Sequence, residues 1–317
     1  MIRTTHAHLH VAAVSHPGMA GKQNEDRLAV SAYRLSEKDA TRSVFAIVSD
    51  GIGGHRAGEV AAEMAVESIS QMVARSDAVQ PVDILNAAIQ AASQAIASKG
   101  RDDTQRLGMG TTCACAWIIG KNLFTASVGD SRIYLLRGSN LTQLTVDHTW
   151  VQEAVEKGIL DPKEARNHPN VHVIRRYLGS SVTPQADIRM RLASNETDTQ
   201  SRSNQGLQLL PGDLLLLCTD GLTDVVNDAE IIQTVRGKAL QAATQALVDL
   251  ACAHNAKDNI TVVMMLVPWK ENGTSFDLKA IKKGRKYWQW AVLALLALIL
   301  LALVVFGLAW AMYHLGA

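Results

Sequence analysis

The chain has little net charge and few cysteines. Among 317 residues, 31 lysines and arginines face 30 aspartates and glutamates, a formal charge of +1, so charge does not indicate nucleic acid as a partner. The cysteines lie in apolar stretches without a CxxC pair, which favours reduced core thiols over disulfides or zinc ligands. Residues 1–10 contain no apolar run, which argues against a secretory signal peptide.

Long apolar runs are scarce too, with one exception near the C-terminus. Residues 291–311 carry no charge, and as a helix they would span about 31 Å, close to the hydrocarbon core of a bilayer. Trp290 and Trp310 sit at its ends, and lysines and arginines occur before it but not after it. A buried core helix rarely runs this long without a polar face. The sequence therefore predicts one membrane-spanning helix over 287–313, with the N-terminal domain cytoplasmic and the C-terminus outside.

The remainder reads as one folded domain, 1–268, followed by a basic linker, 269–286. Short apolar runs predict strands over 44–48, 113–119, 123–128, 133–136, 214–218 and 260–267. Several are apolar at consecutive positions, which indicates strands covered on both faces. The polar stretch 194–205 is interpreted as a surface loop.

Helical spacing of apolar residues appears in three places. One stripe is Ala61, Met64, Ala65, Ile69 and Met72; a second is Leu85, Ile89, Ala92 and Ile96; a third, over 238–253, is Leu240, Ala243, Leu247 and Leu250. Residues 150–182 are predicted to be helical at first and then irregular, with a helix start at Asp161 and Pro162. Runs of strands separated by paired helices predict an α+β fold, in which two sheets pack together with helices outside.

Acidic residues stand where predicted strands end. Asp50, Asp130 and Asp220 each follow a strand, whereas Asp258 comes just before one. In an antiparallel sheet the end of one strand lies beside the start of the next, so these four acids are predicted to meet at a single sheet edge. Each Asp-Gly pair taken alone is more simply a turn.

Four carboxylates at one edge repel each other and need a cation. Oxygen ligands without clustered histidine or cysteine favour Mg²⁺ or Mn²⁺ over Zn²⁺. Two such ions would clamp a phosphate and convert a bridging water into hydroxide near neutral pH.

The order of the motifs resembles the PPM family, the type 2C metal-dependent protein phosphatases, and especially its bacterial branch. The resemblance covers about 11–268. Its motifs are NEDR (24–27), SDGIGGHRAGE (49–59), GMGTT (108–112), VGDSRIYLLR (128–137), LTVDHT (144–149), IRRYLG (174–179), CTDGLTDVV (218–226) and KDNITVVMM (257–265). The family fold has two central antiparallel sheets sandwiched by helices (α-β-β-α), in agreement with the layers predicted above.

The resemblance implies a role for each acid. Asp50 would bridge two ions, one of which the carbonyl of Gly51 would also bind. Asp220 and Asp258 would complete the second ion's site, and Asp130 with Asp220 would hold a third ion.

The resemblance also implies supporting roles. Glu25 and Asp26 would reach the ions through water or orient ligands, and Asn259 would hold its loop in shape. His55 would lie near the ions, in either a structural or a catalytic role. Residues 150–182 match a flap beside the active site that governs substrate choice.

One position departs from many members of the family, which carry a phosphate-binding arginine three residues before the asparagine of the NED motif. Gly21 occupies that position here, with Lys22 beside it. A lysine can bind phosphate as a point charge, without the two-pronged geometry of arginine. Lys22 is therefore a candidate phosphate ligand.

The function implied is hydrolysis of phosphoserine and phosphothreonine in proteins, with Asp50, Asp220 and Asp258 as catalytic residues and a serine/threonine kinase as the opposing partner. The alternative is a catalytically inactive, membrane-tethered adaptor that binds phosphoproteins or a kinase. The alternating His6, His8 and His10 could form a metal site, but an exposed edge strand is the simpler interpretation.

Overall fold

Two long helices divide the strands of the chain into one group that precedes them and one that follows them. The computed structural model describes residues 1–52, 57–103, 106–165, 168–269 and 276–277. The strands are β1 (Ile2–Thr4), β2 (His6–Ala7), β3 (His10–His16), β4 (Arg27–Arg34), β5 (Arg42–Ser49), β6 (Gly51–Ile52), β7 (Gly110–Thr111), β8 (Cys113–Ile119), β9 (Asn122–Val128), β10 (Arg132–Arg137), β11 (Asn140–Gln143), β12 (Leu207–Gln208), β13 (Leu214–Cys218), β14 (Ile260–Leu266) and β15 (Phe276–Asp277). The helices are α1 (Ala57–Arg75), α2 (Pro81–Arg101), α3 (Trp150–Glu156), α4 (Pro162–Ala165), α5 (Asp198–Ser203), α6 (Asp220–Thr223), α7 (Asp228–Val235) and α8 (Leu240–Ala253).

Two antiparallel sheets stack face to face. The first has the strand order β1-β4-β5-β8-β9-β12 and the second β11-β10-β13-β14-β3. Strands β5 and β8 lie against β13 and β14. On β5, Phe45 and Ile47 pack with α1 and α2, while the intervening Val44 and Ala46 are fully buried on the opposite face, toward the second sheet. Both faces are covered, which explains the consecutive apolar residues.

Helices form the outer layers. Helices α1 and α2 pack on β4, β5 and β9 of the first sheet, and α8 packs on β3 and β14 of the second, with α7 beside it. The resulting order helix, sheet, sheet, helix confirms the predicted α+β architecture.

The predicted strands are all present, within one to two residues at their ends. The helix start at Pro162 is confirmed, and the four cysteines are free thiols in the structure. The predicted face of α1 was partly wrong, since Met72 is 36% exposed and Met64 only half-buried. Ala61, Ala65 and Ile69 are buried as predicted, and the buried face also includes Ala62, Val66 and Val73.

Two short helices differ from the prediction. Helix α5 lies within the stretch interpreted as a loop, and α7 was not foreseen. Each begins with a capping box: Thr197 and Gln200 for α5, Asn227 and Glu230 for α7, exchange side-chain and backbone hydrogen bonds. These local bonds stabilise helices too short to show apolar periodicity.

Residues Met1–Phe276 form one compact unit. No helix among the residues described has both the length and the apolar character that crossing a bilayer requires. The helix predicted over 287–313, most of the linker 269–286, and His55 lie outside the described residues.

Candidate metal centre and active site

An open cleft of about 1380 Å³ lies at one end of the two stacked sheets. Its lining includes all four of the acids singled out in the sequence: Asp50, Asp130, Asp220 and Asp258. The prediction that these acids share a single sheet edge was wrong, because they come from two sheets. Asp50 and Asp130 follow strands of the first sheet, whereas Asp220 and Asp258 flank strands of the second. The acids meet because the sheets stack with these strand ends facing the same cleft.

The backbone of Asp50 is held by the two threonines of the GMGTT motif. The Thr112 hydroxyl accepts a hydrogen bond from Asp50 N–H at 2.9 Å, and the Thr111 hydroxyl donates to Asp50 O at 2.6 Å. Gly51 then pairs with Thr111 in the small β6–β7 sheet. A Cβ at Gly51 would stand 2.4 Å from the backbone of Gly58 on α1, so only glycine permits this approach. The carbonyl offered by Gly51 is thereby fixed next to Asp50.

Asp220 and Asp258 are brought together by the pairing of β13 with β14. Cys218 stands opposite Val262, and Thr219 N–H donates to Thr261 O at 3.1 Å. A Cβ at Gly221 would lie 2.1 Å from the carbonyl oxygen of Asn259. Glycine is therefore required for the start of α6 to touch the loop that carries Asp258.

Asn259 joins two segments at the cleft. Its Oδ1 accepts a hydrogen bond from Glu25 N–H at 2.7 Å, and its Nδ2 donates to Pro17 O at 3.0 Å. Asp26, which follows Glu25 in the chain, is 3% exposed and accepts a hydrogen bond from the Thr219 hydroxyl at 2.9 Å. The side chain of Asn259 thus places the NEDR motif against the second sheet.

Asp130 is positioned by a buried histidine. His148 Nδ1 accepts the N–H of Gly129 at 3.0 Å, so the ring proton is on Nε2, which donates to Asp187 Oδ2 at 3.1 Å. Gly129 has φ +102°, and a Cβ there would meet Thr112 at 2.6 Å. The turn before Asp130 is therefore fixed from both sides.

The acids raise one another's pKa. Burial, together with the charges of Asp26, Asp220 and Asp130, raises the pKa of Asp50 well above its ordinary value. Burial and Asp220 likewise raise the pKa of Asp130. The pKa of Asp26 rises to about 7, first through burial, although hydrogen bonds from threonines oppose it. Like charges gathered in one place repel, and divalent cations would relieve that repulsion.

The donor set fits hard cations. Among the described residues, buried Asp26 Oδ1, Asp130 Oδ1 and Asp220 Oδ1 have no hydrogen-bond partner. Buried polar atoms rarely stay unpartnered, so these oxygens have the character of ligand atoms. Carboxylates and the Gly51 carbonyl supply oxygen only, the donor type that Mg²⁺ and Mn²⁺ prefer.

Comparison with known families agrees with this geometry. The family model described as Protein phosphatase 2C matches residues 14–157 and 207–260. The chain belongs to the protein phosphatase 2C family. The matched segments include Asp50, Asp130 and Asp220 and stop just past Asp258.

Two of the curated proteins that the chain resembles are bacterial phosphatases. The serine/threonine protein phosphatase PstP of Mycobacterium tuberculosis (strain H37Rv) is 33% identical over 257 residues, which are 81% of this chain and 44% of that protein. The serine/threonine phosphatase stp of Listeria welshimeri is 34% identical over 224 residues, 69% of this chain and 82% of that protein. The chain thus spans less than half the length of the mycobacterial relative.

Solved structures share the fold. The structure of Mycobacterium tuberculosis PstP/Ppp superposes with a TM-score of 0.68 at 32% identity, covering 82% of this chain and 99% of that one. The S. agalactiae serine/threonine phosphatase gives 0.70 at 29% identity, with 82% and 99% covered. The PstP catalytic domain in complex with two manganese ions gives 0.65 at 32% identity, with 81% and 97% covered.

The cleft contains nearly every described residue that the sequence assigned to the site. Gly51, Glu25, Asn259 and Lys22 line it with the four aspartates, and Asp26 lies buried behind them. Asp258 and Lys22 are exposed at its rim. The alternating histidines do not share one strand, because His6 lies in β2 and His10 in β3, which belong to different sheets. His8 lies between these strands, and its Nε2 contacts Gly120 O at 2.8 Å.

Sequence reasoning missed several residues that this protein phosphatase 2C member brings to the cleft or its support. His148 and Asp187 hold the turn before Asp130, and His172 and Asp224 lie beside Asp220. Asp224 follows Asp220 by four residues, the spacing of neighbours on one helix face, but no helix was predicted after the strand 214–218. His172 could not be placed from the sequence either, because the path of the chain after α4 follows no periodic pattern.

Proposed function

We propose that the chain is a metal-dependent protein phosphatase that hydrolyses phosphoserine and phosphothreonine, in opposition to a serine/threonine kinase. The observation that carries the proposal is the convergence of Asp50, Asp220, Asp258 and Asp130 on one cleft, where buried oxygens have no partner among the described residues. Bacterial relatives at about one-third identity are named serine/threonine phosphatases. No acid of the set is missing, which favours the enzyme over an inactive adaptor.

The cleft suits a protein substrate better than a small metabolite. Its volume of about 1380 Å³ exceeds the range of about 300–1,000 Å³ usual for small-molecule pockets. The flap (150–182) contributes residues such as Val151 and Ile174 to its wall. We assign the choice of phosphoprotein to this segment.

The chain's own residues divide the work. Asp50, Gly51, Asp220 and Asp258 would hold two Mn²⁺ or Mg²⁺ ions, and Asp130 with Asp220 a third. When bound, the ions would neutralise the phosphate and lower the pKa of a coordinated water. Asn259 and the Thr219 hydroxyl hold the backbone of Glu25 and the carboxylate of Asp26 in place. Lys22 offers an ammonium group to the phosphate at the rim.

Activity is expected to depend on an added cation. The full chain, stripped with EDTA and dialysed, should not hydrolyse p-nitrophenyl phosphate, because without cations the charge on the phosphate is not neutralised. Adding Mn²⁺ or Mg²⁺ should restore hydrolysis. Release of p-nitrophenol measures the rate. Turnover that survives EDTA, or that requires zinc, would contradict the assignment. Phosphopeptide binding without turnover at any Mn²⁺ concentration would identify the adaptor instead.

Lys22 is expected to set the affinity for phosphate. Gly21 has φ +69°, so restoring arginine there would place a side chain in the left-handed region, at a cost of about 1–2 kcal/mol. Lys22→Arg avoids that strain. Because an arginine fork binds phosphate through two charged hydrogen bonds, KM for a phosphopeptide should fall by up to about tenfold.

Two alanine variants, one at Lys22 and one at a control lysine, test the same role by loss of the side chain. Lys22→Ala should raise KM without changing the affinity for Mn²⁺, and Lys38→Ala, an exposed lysine in the turn between β4 and β5, should change neither. Equal KM values in all three variants would mean that the cations alone hold the phosphate.

A membrane anchor completes the proposal. The apolar run 291–311, its flanking tryptophans and the basic residues before it support one helix over 287–313 with the catalytic domain on the cytoplasmic side. The full chain is expected to stay with membranes after an alkaline carbonate wash, whereas a chain ending at Phe276, the limit of the compact unit, should be released. Recovery of the full chain in the carbonate supernatant would refute the anchor.

A further inference from the structure

Two large apolar side chains are exposed at the end of the stacked sheets opposite to the cleft. Strand β13 runs toward Asp220 and its partner β14 runs away from Asp258, so the residues before β13 and after β14 lie together at that end. Leu210 is 46% exposed there, and Trp269 is 78% exposed. Exposed apolar side chains that lie together, rather than singly, mark interaction surfaces.

The backbone fixes the turn that carries this apolar pair. Gly212 N–H donates to Val267 O and Val267 N–H donates to Asp213 O, both at 2.9 Å. Gly212 has φ +87°, and a Cβ there would lie 2.3 Å from the ring of Trp269, so the ring lies directly on the backbone of the turn. Leu210 N–H donates to Asp213 Oδ2 at 2.8 Å. Both apolar side chains therefore belong to one defined surface.

Basic residues flank the apolar turn on the side of the first sheet. Leu209 N–H donates to Lys121 O, and Gly120 N–H donates to Arg42 O, both at 2.8 Å. The side chains of Lys121 and Arg42 are exposed. Backbone hydrogen bonds thus connect two cations to the apolar turn.

A second group of cations lies on the side of the second sheet. Leu240, the first residue of α8, and Leu266, the last residue of β14, line one apolar pocket of about 330 Å³. The turn between α7 and α8 therefore lies beside the end of β14. This turn carries Arg236 and Lys238, both of which are exposed.

Positive charge exceeds negative charge in the loops at this end. Lys38 adds to the four cations above, and the exposed acids are Glu37 and Asp39. Asp213 is buried and pairs with Arg137 at 2.7 Å. An anionic bilayer complements such a surface, because its negative potential attracts lysine and arginine and its headgroup region accommodates tryptophan.

The path of the chain favours a bilayer over a soluble partner. Trp269 begins the basic linker 269–286, which leads in the sequence to the apolar run 291–311. A tether of this length keeps the surface at a high effective concentration near the membrane, so a modest intrinsic affinity is enough for docking.

We propose that the distal surface docks the phosphatase domain on an anionic lipid bilayer. This surface is formed by Leu210, Trp269, Arg42, Lys121, Arg236 and Lys238. The inference deepens the proposed function and rests on the membrane anchor proposed there, which supplies the tether. Strand β14 has seven residues and connects the two ends, so docking would hold the cleft about 23 Å or more from the lipid. Phosphorylated segments that project at least this far from the membrane could then reach the metal centre.

Vesicle binding by the chain ending at Phe276 tests the distal surface without the anchor. Both stacked sheets and the described helices lie within the compact unit Met1–Phe276. At neutral pH and low salt this chain should sediment with vesicles of phosphatidylcholine mixed with phosphatidylglycerol, but not with phosphatidylcholine alone. Added salt should release it, because the attraction is electrostatic.

Two variants of this shortened chain should bind the anionic vesicles more weakly. Arg236→Gln combined with Lys238→Gln removes two cations from the lipid surface and should lower the partition coefficient by about 30-fold. Trp269→Ala removes the apolar contact and should lower it by at least about tenfold.

The matched controls lie at the end of the chain's fold that carries the cleft. Lys99→Gln combined with Arg101→Gln removes two exposed cations from the end of α2 that leads into the GMGTT motif, and Leu107→Ala removes an exposed leucine just before that motif. Both should bind as the unsubstituted chain does. Equal binding to neutral and anionic vesicles, or one partition coefficient in all five proteins, would overturn the proposal.

Hydrogen exchange of the full chain in lipid nanodiscs separates docking from anchoring. Amides of residues 210–213 and 236–239 should exchange more slowly in discs that contain phosphatidylglycerol than in discs of phosphatidylcholine alone. Equal exchange in both lipids would refute docking, even where the carbonate wash confirms the anchor. Neither binding nor exchange involves phosphate release, so failure of this inference is distinguishable from failure of the phosphatase proposal.

Discussion

Asp220→Asn is expected to reduce phosphate release by on the order of 1000-fold or more, for p-nitrophenyl phosphate and phosphopeptides alike. Asp220 belongs to both the second and the third of the proposed ion sites, and asparagine keeps its shape while removing the charge that binds a cation. Loss of an ion that supplies several kcal/mol of transition-state stabilisation corresponds to a rate change of that size. Steady-state rates at saturating Mn²⁺, with Mn²⁺ stoichiometry measured in parallel, test this expectation.

The same substitution should stabilise the metal-free fold. Burial and the charge of Asp258 raise the pKa of Asp220, although a hydrogen bond with Asp50 opposes this. A carboxyl group whose pKa is higher in the folded than in the unfolded state opposes folding once pH exceeds the unfolded value, so removing its charge helps at pH 7. Asp249→Asn, an exposed acid on α8, is the control for the loss of one negative charge. A near wild-type rate in Asp220→Asn would make the acid structural, and lower stability without metal would contradict the repulsion inferred here.

The acids of the site were predictable because each stands at a strand end. A buried strand must end where its polar neighbour reaches solvent or a ligand, and Asp50, Asp130 and Asp220 all mark such ends. The single sheet edge was not the right arrangement. Consecutive apolar residues show that a strand is covered on both faces, but they do not show which strands share a sheet. The assignment of β5 and β9 to one sheet, and β13 and β14 to the other, depends on long-range pairing that local sequence does not encode.

The supporting residues were harder to foresee than the acids. His148 precedes Asp187 by 39 residues, and their contact depends on an isolated β-bridge in which Asp187 N–H donates to Ser127 O at 2.9 Å. The capping boxes of α5 and α7, by contrast, were legible: Thr197 with Gln200, and Asn227 with Glu230, have the required spacing of three. Apolar periodicity alone overlooked them because six to eight residues give too few turns to show a stripe.

A second large effect is expected at Arg189, which neutralises the buried carboxylate behind the cleft. Its guanidinium donates to Asp187 Oδ2 at 2.6 Å, and the two side chains are 9% and 4% exposed. It also reaches Glu156 on α3 and Asp198 on α5. Hydrogen bonds from His148 and Arg189 outweigh burial and hold the pKa of Asp187 well below its usual range.

Arg189→Met keeps the length of the side chain but leaves Asp187 ionised and buried, with His148 as its remaining side-chain donor among the described residues. Removing one partner of a buried pair costs about 3–5 kcal/mol, so the free energy of unfolding at pH 7 should fall by that amount. For a domain of this size the melting temperature should drop by about 10 °C. Arg202→Ala, an exposed arginine on α5, should change neither quantity.

The pH dependence of unfolding shows whether the Arg189–Asp187 pair stabilises the fold through charge. Asp187 has a lower pKa in the folded state than the ordinary 3.8, so the pair stabilises the fold above about pH 4 and that stabilisation is lost as pH falls through the folded pKa. The difference between wild type and Arg189→Met should therefore be full at pH 7 and shrink in acid. Asp187→Asn combined with Arg189→Met should recover part of the loss, because neither of these two buried positions then carries a charge. Two results for Arg189→Met would contradict this: a loss in the free energy of unfolding below about 1 kcal/mol at pH 7, or a loss that grows as pH falls below 4. Either would mean that the pair contributes as little as a surface ion pair. Packing alone would then hold His148 against the turn before Asp130.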